Sequence, residues 1–211
     1  MGWLLAIGLA GGALYWWMRW KRLARAQFIR SYQFPRGLLE KLHAKRPSLD
    51  GRQLQLVARA LRQFFLAHLQ SDRKYVSMPS QVADDLWHEF ILYTRGYEAF
   101  CKRAFGRFMH HTPAIAMGAS DQNNDGLRRT WRHTCWEENI NPRRPTRLPL
   151  LFALDAKLGV SDGFVYALDC SKLTDRQSGT VHCASDVSGG CGGGGSGCGG
   201  DSGCGGGCGG D

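Results

Sequence analysis

Most of the side chains able to do chemistry gather in residues 84–113, DDLWHEFILYTRGYEAFCKRAFGRFMHHTP. Asp84 and His88 stand four positions apart, so on a helix they share one face, one turn above the other. That spacing lets a carboxylate orient an imidazole, or lets both approach one metal ion. His110 and His111 follow on a short loop, where ligands are easily presented. His133 and Cys135 lie further on in WRHTCW, and Cys101 falls between the two groups. Zinc accepts this palette of imidazole nitrogen, thiolate sulfur and carboxylate oxygen. The candidate metal ligands are therefore Asp84, His88, His110, His111 and His133. No CxxC or HExxH spacing accompanies them, so a second reading stays open, in which His88 is a packing histidine beside Trp87. No nucleophile pairs with His88 by spacing, which leaves general acid–base catalysis with little to stand on.

A second set of candidates lies in the last 23 residues, which hold 15 glycines and four cysteines. Cys191, Cys198, Cys204 and Cys208 are flexible thiols that suit a soft ion such as Cu(I) or Zn(II). Acylation, service as a substrate for heterocycle-forming enzymes, or a plain spacer are the other readings. Such a segment buries too little surface to offset its ordering entropy, and disorder is expected from Gln177 onward.

The elements that must position the histidines read as helices. Arg19 to Arg30 continues an N-terminal helix that Phe34-Pro35 breaks. Gly37 to Lys45 is a short amphipathic piece. Ser48 is the expected cap of a long helix whose Leu54, Val57, Ala58, Leu61, Phe64, Phe65 and Leu69 repeat at helical spacing. Ser80 caps the next helix, with Val82, Leu86, Phe90 and Tyr93 on one face, and Gly96 is the expected bend before Tyr97, Phe100, Cys101 and Phe105. Further helices are expected from about Asp121 to Glu138 and from Leu150 to Leu158, and a small strand at Gly163 to Leu168. No βαβ alternation is present, so the expected fold is all-α or nearly so, a compact bundle.

The N-terminus adds a different expectation. The first eighteen residues carry no charge, and Arg19, Lys21, Arg22 and Arg25 follow directly. The uncharged run is about 27 Å long as a helix, close to the bilayer core, with aromatics at both ends. It reads as a transmembrane anchor whose flanking bases meet anionic lipid. The positive charges lie only C-terminal to it, so the domain is expected in the cytoplasm beneath the inner membrane, where structural disulfides are not expected. The net charge of +9 brings no nucleic-acid-binding signature with it. The domains so drawn are an anchor (1–20), a basic juxtamembrane segment (21–34), a helical globular domain (35–176) and a Gly/Cys-rich tail (177–211).

The pattern D-x-x-W-H, a Tyr, a Phe-Cys pair, a Gly and then His-His-x-Pro resembles the glycine-rich domain-containing protein family. It is carried by Asp84, Trp87, His88, Thr94, Tyr97, Phe100, Cys101, Gly106, His110, His111 and Pro113, and more weakly by Thr130-Trp131 and Leu148 to Tyr166. The resemblance implies no defined activity. The expected function is a membrane-tethered module that binds a ligand, partner or metal, with zinc as the possible ion. The alternative is a membrane-bound, metal-dependent hydrolase centred on Asp84, His88 and His111.

Overall fold

In the computed structural model, residues 2–111, 121–168, 181–184 and 187 are described, without side chains at 2, 4, 5 and 121–124. The element against which most others pack is α3 (Gly51–Gln70). Its apolar residues wrap most of the helix circumference, and Val57, Leu61, Phe64 and Phe65 are fully buried. Helix α3 starts at a capping box. The Asp50 carboxylate accepts the Gln53 amide at 2.7 Å, and the Gln53 side chain accepts the Asp50 amide at 2.8 Å. The reciprocal pair satisfies two donors that the first turn leaves open. Asp50, and not Ser48, is thus the cap.

Six more helices surround α3 among the described residues: α1 (Gly2–Ser31), α2 (Arg36–Lys45), α4 (Gln81–Leu92), α5 (Thr94–Phe105), α6 (Asp121–Glu137) and α7 (Leu150–Leu158). Helices α1, α4, α6 and α7 lie on α3, α2 lies mainly on α4, and α5 is held between α1 and α4. The α4–α5 corner falls at Tyr93, ahead of Gly96, which sits inside α5. Helix α5 ends at Gly106, whose φ of 77° is a left-handed cap that favours glycine. Two short strands, β1 (Val165–Ala167) and β2 (Val181–Cys183), pair in parallel with Val165 opposite Val181. The fold is mostly helical with this one small sheet among the described residues. Strand β2 lies in the stretch expected to be disordered, and Cys183 is disulfide-bonded, contrary to the expectation of free thiols. The four tail cysteines, Cys191, Cys198, Cys204 and Cys208, lie outside the described residues.

The expected transmembrane helix is corrected. No helix among the described residues is long and apolar enough to cross a membrane. Helix α1 has the length, at 30 residues, but Gly8, Gly11, Gly12, Tyr15, Trp16 and Trp17 dilute its hydropathy before charge begins at Arg19. Its second half is part of the domain, with Ala26 and Ile29 buried. Of the bases assigned to lipid, Lys21, Arg22 and Arg25 have other partners, as does Arg30 further along. Arg22 donates to the Gln70 carbonyl at 2.7 Å and pairs with Asp72 at 3.1 Å. Arg25 reaches Gly106, Lys21 sits 3.7 Å above the Trp17 ring, and Arg30 forks onto Glu137. With the anchor go the inferences drawn from it: a single-pass membrane partner, lipid contact by Arg19, Lys21, Arg22 and Arg25, inner-membrane localisation and a cytoplasmic orientation.

One buried carboxylate fastens the C-terminal half to the start of α4. Asp155 on α7 accepts from the Ser80 hydroxyl at 2.7 Å and from the amides of Gln81, Val82 and Phe164 at 2.7, 3.3 and 2.9 Å. The first three of these donors sit at the N-terminus of α4, whose partial positive charge favours an anion. The loop carrying Phe164 comes so close that a Cβ at Gly163 would lie 2.5 Å from the Asp155 side chain. Asp155→Ala would strand these donors away from water and is expected to cost roughly 3 kcal/mol or more. The check is a chemical-denaturation midpoint, which should fall with the helical circular dichroism signal retained.

Candidate metal centre

Asp84 lies in the first turn of α4, and His88 follows one turn later on the same face. The third member, His111, arrives from the loop after α5. A polar strut sets that loop: the Trp87 indole donates to the Tyr97 hydroxyl at 3.1 Å, and this hydroxyl donates to the Met109 carbonyl at 2.6 Å. Tyr97 is fully buried, and burial raises its phenol pKa, so it remains a neutral donor. Two residues beyond Met109, the His111 ring rests edge-on to Trp87 with centroids 4.5 Å apart. The His88 and His111 rings are 4.2 Å apart.

The Asp84 carboxylate joins the pair. One oxygen lies 3.1 Å from Nε2 of His111 and the other 3.2 Å from Nδ1 of His88, which also approaches the Asp84 carbonyl at 2.9 Å. A carboxylate only accepts, so both ring nitrogens facing it carry the proton. One potential ligand atom from each of the three residues falls within 4.8 Å of the others. Ligand atoms of a tetrahedral zinc site sit roughly 3.4 Å apart, so modest side-chain rotation would close the set. The group is half open: side-chain exposure is 48% at His88, 22% at Asp84 and 14% at His111. It faces a cleft of about 890 Å³.

The other candidates are placed elsewhere. His110 lines the same cleft but packs against Phe108 and does not join the group. His133 on α6 meets the Trp136 ring edge-on, and its buried Nδ1 has no partner among the described residues. Cys101 and Cys135 are core residues whose burial raises their pKa, Cys135 to about 12, so neither is a thiolate. Sequence reasoning missed four cleft residues: His68, Arg73, Arg107 and His182. Arg73 owes its place to Asp72 and Arg73 both adopting positive φ, 54° and 61°, a region that aspartate favours and arginine does not. Arg107 is more legible, since it follows the Gly106 cap that reverses the chain.

Two outcomes can be measured without any ligand. Tyr97→Phe removes the strut to Met109 and is expected to cost about 1–3 kcal/mol, the range for a partner left unsatisfied in the interior. It should also broaden the His111 ring resonances in NMR spectra. Burial pushes the pKa of His68 and of His133 down from 6.5 to about 4. Both are neutral in the fold, whereas the unfolded chain takes up protons below pH 6.5. Stability is therefore fully present above that value and lost as pH falls from 6.5 to 4, by roughly 2–4 kcal/mol for the pair. Urea midpoints across this range should show the fall, and His68→Phe should lessen it.

Neither the curated proteins nor the solved structures yield a match to this chain. One family model does match, over residues 24–187, from the last two turns of α1 to the end of the described residues. It corrects the resemblance to the glycine-rich domain-containing family, and the glycine-rich run from Gly189 to Asp211 lies beyond the matched region. The Asp84–His88–His111 group and the Asp155 junction both fall inside it, and the chain belongs to the UCP032817-like family.

Proposed function

We propose that this protein is a metal-binding module in which Asp84, His88 and His111 hold a divalent ion, zinc being the best match to two imidazoles and a carboxylate. The observation that carries the reading is the approach of three ligand atoms to within 4.8 Å at the wall of a cleft. Two of the ligands are one turn apart on α4, and the third is brought 27 residues along the chain by the Tyr97 strut. To hold an ion, each ring would present the nitrogen that now faces Asp84, with its proton on the other ring nitrogen.

The open side of the group favours a second reading, a metal-dependent hydrolase. Structural zinc sites are closed by four protein ligands, whereas catalytic ones keep three and leave a position for water. Here three converge and the fourth direction meets the cleft, where a bound water would be acidified by the metal. The residues are the same in both readings, with His88, His111 and Asp84 as ligands.

Titration calorimetry with zinc decides between these. The full chain is used with Cys191, Cys198, Cys204 and Cys208 replaced by Ser, so that tail thiols contribute nothing. One zinc per chain is expected, weakened at least tenfold by Asp84→Ala, His88→Ala or His111→Ala. Unchanged affinity in all three variants refutes the site. Zinc-dependent turnover of a nitrophenyl ester, abolished by His111→Ala, selects the hydrolase, while tight binding without turnover selects the module.

A further inference from the structure

The wall of the cleft formed around the end of α3 and the loop after α5 carries two cations with no carboxylate partner among the described residues. Arg73 donates to the Phe105 carbonyl at 3.3 Å, and Arg107 donates to the Arg73 carbonyl. The two segments are thus tied through backbone oxygens, and neither guanidinium forms an ion pair among the described residues. Asp84 is the acid among the described cleft residues, and it is already shared between His88 and His111. Two unneutralised arginines at one mouth repel each other, and the left-handed backbone at Asp72 and Arg73 adds about 1–3 kcal/mol of strain per residue. Such strain is retained where the surrounding structure holds it, and it clusters at ligand clamps. His68 lines the same cleft, its pKa lowered first by burial and further by the charges of Arg107 and Arg73. The cleft is also lined by the apolar and aromatic side chains of Tyr75, Met78, Trp87 and Phe108.

We infer that the cleft binds a small organic anion, its carboxylate or phosphate forked by Arg73 and Arg107 and its apolar body laid along the aromatic wall toward the Asp84–His88–His111 group. The charges fit this ligand. Counting the described residues with neutral histidines, the two arginines and Asp84 leave the cleft at +1, and a divalent ion at the proposed centre raises it to +3. Planar guanidiniums match the oxygens of carboxylate and phosphate two at a time. The anion site stands on the arginines alone. The orientation of the ligand toward the metal rests on the metal reading above.

Phenyl phosphate and phenol are the probes, the second having the same ring with no anion. Binding is followed by calorimetry and tryptophan fluorescence on the full chain with the four tail cysteines replaced by Ser, first without metal and then with one equivalent of zinc. Phenyl phosphate should bind the metal-free protein and phenol at least tenfold more weakly. Arg73→Gln and Arg107→Gln, which keep an amide donor for the backbone contacts, should each lower phenyl phosphate affinity about tenfold, and Arg107→Lys should recover part of it. Raising salt from 50 to 500 mM should weaken binding in the unaltered chain, a readout that needs no variant to fold. Equal binding of phenol and phenyl phosphate, or indifference to both arginine substitutions and to salt, overturns the anion site. Zinc should tighten phenyl phosphate in the unaltered chain and not in His111→Ala. An anion site that responds to the arginines but not to zinc retains the clamp and overturns its orientation toward a metal.

Discussion

Helix α3 sets the constraint that the remaining structure satisfies. Its apolar side chains are not confined to one stripe, so a single neighbouring layer cannot cover them. Each fully buried Leu or Phe contributes about 1.5–3 kcal/mol, but only when partners arrive from several directions. Helices α1, α4, α6 and α7 supply those partners, and the aromatic cluster of Phe64, Phe65, Phe90, Phe100 and Trp87 is where α3, α4 and α5 meet. Trp87 belongs both to this cluster and to the wall behind His111. The rigidity of the candidate centre therefore derives from the core, and the His111 loop is held through Met109 by the Tyr97 hydroxyl, to which that same tryptophan donates.

How much of this was legible from residues alone varies with the physics involved. The long helices announce themselves, because apolar residues from Leu54 to Leu69 and from Val82 to Phe90 recur at helical spacing. The caps were harder. Ser48 and Asp50 are both good N-caps, and only the reciprocal bond with Gln53 distinguishes them. The N-terminal run looked like an anchor because charge was absent, yet lack of charge differs from high hydropathy when glycine and tryptophan make up much of the run.

At the site, the pair Asp84 and His88 was readable from spacing, and the return of His111 was plausible from the glycine at the end of α5. What spacing could not convey was the separation of His133, which α6 carries elsewhere, or the pairing of Arg73 with Arg107 across 34 positions. Those depend on backbone choices at Asp72, Arg73 and Gly106, and a non-glycine residue at positive φ is decided by tertiary contacts. Charge in the cleft is accordingly carried by two sets of residues, the mixed group of Asp84, His88 and His111 and the cationic pair of Arg73 and Arg107.

The Asp155 junction has a consequence for the order in which the chain acquires its shape. It closes a loop of 75 residues back to Ser80, long enough that the entropy of closure must be met before the hydrogen bonds are gained. As the chain leaves the ribosome, α4 emerges with its first turn incompletely satisfied and stays so until α7 and the Gly163 loop have followed. The histidine-bearing helix is thus fastened last, by residues with no part in its own chemistry. An N-terminal fragment ending before α7 would present Asp84 and His88 on a helix whose beginning is free to fray.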